Sequence, residues 1–114
     1  MLRIALVAVL AALSFTPVLA QSFEGNWGCR DTTSAKSGIL TIYGNVYGFA
    51  SAAPGDAKSG TGTITGYQDG VGFNDGGLKT AGNIAAGRVI ADPTHVAAIQ
   101  LETTDAIVML CTPR

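Results

Sequence analysis

Cys29 and Cys111 are the chain's only cysteines, and they stand 82 positions apart. One lies near the start of what can fold, the other near its end. A disulfide requires Cα atoms roughly 4.4–6.8 Å apart. If the two are joined, the first and last segments must be spatial neighbours, and every open architecture with distant ends is excluded. Other uses of cysteine need partners. There is one histidine, no Cys-x-x-Cys and no Cys–His neighbour pair. An even pair in a small exported domain reads as a bridge. A loop this long gives a stabilisation of about 4–5 kcal/mol on the chain-entropy model, substantial for a domain whose small core leaves it marginal.

The N-terminus supplies the export. Met1-Leu2-Arg3 is a short positive region, Ile4 to Phe15 is almost unbroken apolar sequence, Thr16-Pro17 interrupts it, and Val18-Leu19-Ala20 fits a signal-peptidase site. The apolar run is shorter than the roughly 20 residues a membrane anchor needs. Residues 1–20 therefore read as a secretory signal peptide and 21–114 as a single domain. The Ala-rich leader points to a bacterial source, with the periplasm or the medium as destination. The charges of residues 21–114 are Arg30, Lys36, Lys58, Lys79, Arg88 and Arg114 against Glu24, Asp31, Asp56, Asp69, Asp75, Asp92, Glu102 and Asp105. Eight acids against six bases, evenly spread, exclude a basic nucleic-acid binder or a polybasic membrane-surface protein. No membrane insertion is expected, and the protein reads as a monomer.

The mature chain has no helical period of useful length. It alternates short β-rich runs with Gly, Asn and Asp at intervals of about 8–12 residues, the pattern of an antiparallel barrel or sandwich. Gly38 to Tyr43 and Val46 to Ser51 flank Gly44-Asn45, a two-residue hairpin turn. Counting outward pairs Tyr43 with Val46, Ile42 with Tyr47, Thr41 with Gly48 and Leu40 with Phe49. Leu40, Ile42, Tyr47 and Phe49 then share the buried face. Ala52 to Ser59 reads as a loop, Thr61 to Tyr67 as a strand, and Val71 to Phe73 as a short strand after the Gln68-Asp69-Gly70 turn. Leu78 to Gly87 is left open between a poor strand and a surface loop. Gly87 to Ala91, His95 to Thr103 and Ala106 to Cys111 complete seven or eight strands.

With the first and last strands joined, the meander closes into an up-and-down barrel without a free edge. A two-sheet β-sandwich bridged across its layers is the alternative. Parity supports closure: Phe23, Gly25, Trp27 and Cys29 share one face, and Cys111 must face the same interior. A three-residue loop, Thr103-Thr104-Asp105 with Asp105 in the left-handed region, would pair Leu101 with Ile107 and Ile99 with Met109. It would face Ala97, Ile99, Leu101, Ile107, Met109 and Cys111 inward together.

The opening Phe23-Glu24-Gly25-Asn26-Trp27 resembles the Gly-x-Trp start of the calycins, the lipocalins and their relatives. In size, export and single disulfide the chain is similar to the small bacterial periplasmic metalloprotease inhibitors, which share that opening. The resemblance implies a barrel with Trp27 plugging one end and a basic residue stacked over its ring, a role for which Arg114 and Arg88 compete. Gly25, Trp27 and Arg114 are structural residues on this reading. Those inhibitors enter the protease cleft with the tail ahead of Gly-x-Trp, where this chain has Gln21-Ser22-Phe23-Glu24.

Chemistry is sparse. His95 is the sole imidazole, no Gly-x-Ser-x-Gly is present, and the acids sit largely in turns. Asp69 and Asp75 flank a glycine-rich stretch but lack the calcium-loop spacing. The Thr61, Thr63 and Thr65 row is an ordinary exposed strand face. We expect no catalytic site, no metal and no cofactor. The candidate binding surface is Tyr43, Val46, Tyr67 and Phe73, and the partner is an unknown protein or a small apolar ligand. The expected function is an exported binding module; the alternatives are a secreted protease inhibitor and a structural envelope protein. An exposed loop with a rigid tip would favour inhibition, and a hollow barrel a small ligand.

Overall fold

The computed structural model describes residues 24–91 and 96–114. The expected signal peptide over residues 1–20, Phe23 and His95 lie outside the described residues, as does the side chain of Ala97. Eight strands follow in chain order: β1 (Gly25–Asp31), β2 (Lys36–Tyr43), β3 (Val46–Ser51), β4 (Gly60–Tyr67), β5 (Gly70–Phe73), β6 (Ala86–Ala91), β7 (Val96–Glu102) and β8 (Ile107–Pro113). A single helical turn, α1 (Gly77–Thr80), lies between β5 and β6. Each strand pairs antiparallel with its sequence neighbours, and β8 returns to β1, so the sheet is a closed up-and-down barrel. The sandwich is excluded.

The closing seam is where the cysteines put it. Cys29 and Cys111 are direct partners across β1 and β8, and their sulfurs are bonded. Trp27, Cys29 and Cys111 are all buried. The β2–β3 hairpin has the register that counting from Gly44-Asn45 requires, from Tyr43 with Val46 to Leu40 with Phe49. Gly44, at φ 57, supplies the positive dihedral the tight turn demands. Leu40, Ile42, Tyr47 and Phe49 all point into the core.

The last hairpin differs from expectation. Leu101 pairs with Met109 and Ile99 with Cys111, while a bulge between Leu101 and Glu102 sets Glu102 opposite Ile107. The connecting loop is held by the Thr103 hydroxyl, which accepts from the N–H groups of Asp105 and Ala106. Asp105 is not left-handed; among the described non-glycine residues only Ser34 and Asn83 have positive φ. The bulge absorbs the extra residue, so Met109 and Cys111 still face inward, but Ile107 is exposed.

The undecided stretch 78–87 is neither strand nor surface loop at its start. α1 and the turn after it carry Leu78 and Ile84 into the core. Alternation of strand direction puts this connection at the same barrel end as the β1–β2, β3–β4 and β7–β8 loops. Gly77 packs against the carbonyls of Ala57 and Lys58 in the β3–β4 loop, with no room there for a Cβ. The segment is a plug. Eight-stranded barrels are narrow enough for side chains to fill, and this one is filled: Leu40, Ile42, Leu78, Ile84, Ile99 and Leu101 are fully enclosed, with Phe73 packed edge-on against Tyr47.

Candidate functional site on the outer wall

Core side chains occupy the interior, and two concavities lie on the outer wall. The outward row of the β2–β3 hairpin pairs Tyr43 with Val46 near the turn, Thr41 with Gly48 in the middle, and Ile39 with Ala50 toward the base. Tyr43 is 69% exposed and Val46 46%. Gly48 has no side chain to fill the middle, and Thr61 and Thr63 of β4 border it. The result is a shallow depression of about 480 Å³ lined by Thr41, Tyr43, Val46, Gly48, Thr61 and Thr63. Its frame is tied down: the Thr41 hydroxyl donates to Asn26 Oδ1 at 2.7 Å, and Glu24 Oε2 accepts from the Gly44 N–H at 2.7 Å.

Toward the base of the hairpin the wall carries a second concavity, a trough of about 430 Å³. Gly28 is its floor. Gly28 pairs with Ile39 on one side and Thr112 on the other, and nothing lies within 4 Å of where its Cβ would be. Ile39, Ala50 and Pro113 supply apolar walls, and Arg30, Lys36 and Arg114 stand at the ends. Arg30 and Lys36 are partners across β1 and β2, and Arg30 Nη1 donates to the Ser34 carbonyl at 2.8 Å.

The other two members of the expected surface are elsewhere. Tyr67 is exposed, at 58%, but lies on the β4–β5 side with its ring over Gly72. Phe73 is 2% exposed and belongs to the core, so the short Val71-Gly72-Phe73 strand turns it inward. Tyr43 and Val46 are thus brought together, and neither Tyr67 nor Phe73 joins them. Trp27 is enclosed in the barrel, and Gly25 opens β1 at φ 130. Arg114 is exposed; its backbone N–H donates to Asn26 and it borders the trough. Arg88 lies on the far wall, paired with Glu102 at 2.9 Å and with Asp69.

The acids are engaged locally. Asp75 accepts from the N–H and hydroxyl of Thr63, at 2.7 and 3.2 Å, and so extends the short β5 along β4. The Tyr47 hydroxyl donates to the Asp75 carbonyl, and burial pushes its pKa up. In the β3–β4 loop Asp56 accepts from the Ser51 hydroxyl at 2.6 Å and the Lys58 N–H at 3.0 Å, and pairs with Lys58 Nζ at 3.1 Å. The Ser51 hydroxyl first, and the Lys58 donors after it, hold its carboxyl down to about 2. Asp31, which accepts from the hydroxyl and N–H of Thr33 and from the Ala35 N–H, is likewise lowered.

No protein-family model, curated protein or solved structure matches this chain. The closed eight-stranded antiparallel barrel is compatible with the calycin architecture that Gly25-Asn26-Trp27 suggests.

Sequence reasoning missed the trough. Half of it was within reach: once Leu40 and Phe49 face inward, Ile39 and Ala50 must face out. The other half came only with closure, which sets Gly28 beside Thr112.

Proposed function

We propose that the protein is an exported, non-enzymatic binding module that meets a partner with the outer wall of its β2–β3 hairpin. The observation that carries this reading is the filled barrel beside an exposed Tyr43–Val46 pair. Core side chains occupy the interior that a small apolar ligand would enter, whereas paired aromatic and aliphatic side chains on a rigid strand surface suit protein contact. The outer wall mixes exposed apolar side chains, among them Tyr67, Ile107 and Leu110, with charged and hydroxyl groups, and the buried core is apolar, unlike the polar lumen of a transmembrane barrel. The disulfide accords with an oxidising compartment, and the leader with the periplasm or medium. Kinship with the calycins is part of this reading, supported by Gly25, Trp27 and the closed barrel.

Protease inhibition keeps one supporting observation, the β3–β4 loop that Asp56 braces beneath an exposed Ala53-Pro54-Gly55 tip. That tip is folded into successive turns by the Asp56 N–H to Ala53 and Ser59 N–H to Asp56 bonds, so it does not present an extended strand to a protease cleft.

The test is site-specific photo-crosslinking in the exporting cell. A crosslinker at Tyr43 should give a discrete adduct that one at Tyr67, equally aromatic and exposed on the β4–β5 side, does not. Equal labelling from both positions, or none from Tyr43, overturns the assignment.

A further inference from the structure

The distribution of paired and unpaired charge singles out the trough. The mature chain is net acidic, yet three of its six basic residues, Arg30, Lys36 and Arg114, border one concavity whose lining contains no acid. Lys58 and Arg88 are matched to carboxylates; of the four cations that take part in none of the ion pairs among the described residues, three border the trough and only Lys79 lies elsewhere. Between these cations the lining is Gly28, Ile39, Ala50, Thr112 and Pro113, small or apolar.

The spacing of the charges is set by the sheet. Arg30 is opposite Leu110 on β8, and Arg114 lies four residues farther along that strand direction. At about 3.3 Å per residue, the backbone positions that carry the two basic ends are roughly 13 Å apart. An extended polypeptide has the same rise, and its residues i, i+2 and i+4 point to one side. We infer that the trough receives an extended acidic segment of a partner protein, with carboxylates at i and i+4 meeting Arg114 at one end and the Arg30–Lys36 pair at the other. A small apolar side chain at i+2 rests over Gly28. This rests on the outer-wall reading above and names the chemistry of the partner. Charge at both ends with an apolar middle suits such a segment better than a single-headed amphiphile, which would use one end only.

The probe is a blocked pentapeptide, Glu-Ser-Val-Ser-Glu, titrated into the ¹⁵N-labelled full mature protein at low salt. Amide shifts should concentrate at Gly28, Ile39, Ala50 and Thr112, and the affinity should fall severalfold as salt shortens the screening length from about 20 to 10 Å. Joint Arg30→Glu and Lys36→Glu substitution should weaken binding at least tenfold. Gly28→Leu has open space for its side chain. It should block the peptide while leaving the rest of the amide spectrum in place, which separates a filled trough from a misfolded barrel. A control peptide with its two glutamates adjacent should bind at least fivefold more weakly. Equal binding of the two peptides, or shifts that map outside the trough, overturns the inference. So does occupation of the trough by dodecanoate or by phosphatidylglycerol vesicles in place of the peptide, which would assign it to an amphiphile or a membrane. In each of these cases a discrete Tyr43 adduct would leave the outer-wall reading standing; loss of that adduct as well would remove both.

Discussion

The wall formed by β8, β1, β2 and β3 and the wall formed by β4, β5 and β6 close the same barrel by different means. The first is covalently tied, since the disulfide joins direct partners at the seam where the chain's two ends meet. Its outer face is free to carry concavities because stability there does not depend on filling them. The second has no such tie. β5 is only Gly70–Phe73, so Asp75 must cap β4 by hand and α1 must bring Leu78 from outside the sheet. Its backbones also approach closely: Gly70 lies against the Gly87 carbonyl, and Gly87 against Ile99 and Val71. Gly28 leaves a space on the first wall, whereas Gly70 and Gly87 let backbone and side chains close in on the second.

The comparison breaks most readily at the seam. Replacing both cysteines by serine should cost about 4–5 kcal/mol, read as a lower urea midpoint. A loss below about 1 kcal/mol would mean that closure by hydrogen bonding suffices and that the first wall is not special.

Single core truncations come next. If each side chain is as enclosed as its burial indicates, Trp27→Ala should cost about 3–5 kcal/mol and Leu78→Ala about 2–5 kcal/mol. Hydrogen exchange sharpens the contrast. Leu78→Ala should speed exchange in β5 and β6 while β1 and β8 remain protected, because opening is local where packing is the only tie. Uniform loss of protection would make the barrel one cooperative unit and erase the distinction.

The glycines give a smaller, more specific test. Gly70→Ala forces a methyl into the Gly87 backbone and should cost about 1–3 kcal/mol. Gly28→Ala meets nothing and should change stability by less than about 0.5 kcal/mol. Equal effects in thermal melts would contradict the opposite roles assigned to them.

The smallest expected effect is with acid. The Asp56 carboxyl is lowered from 3.8 to about 2 in the folded protein, so folding favours its ionised form. That contribution is complete above pH 4 and is lost as the pH falls through 2. Asp56→Asn should flatten the stability profile over that window, leaving the residual slope that the lowered Asp31 supplies. An unchanged profile would show that the Ser51 and Lys58 contacts do not persist in solution.

How far the fold was legible varied with how tightly local chemistry fixed the count. Gly44-Asn45 admits one turn, so every pair of the β2–β3 hairpin followed from it. The last hairpin did not, because a bulge at Leu101–Glu102 can absorb a residue anywhere in a ladder without disturbing the inward parity of Met109 and Cys111. Three alternating residues do not say which side is in, so Val71-Gly72-Phe73 is as compatible with an outward Phe73 as with the buried one observed. One helical turn has no period to detect, so the sequence does not distinguish the plug from a poor strand or a loop.

What the sequence determined by itself was the barrel. Two cysteines at opposite ends of a strand-and-turn chain bring its ends together, and closure into a barrel leaves no free edge where a bridged sandwich would. The tertiary structure alone decided that the interior is full and what the wall carries. Filling depends on the volumes of Leu78 and Ile84, delivered by a segment with no strand pattern. The trough depends on Arg30 and Lys36, which the β1–β2 hairpin pairs, and on Arg114, which joins them only when β8 closes against β1. Strand periodicity fixes which side a residue faces; only closure of the sheet fixes which distant residue stands beside it.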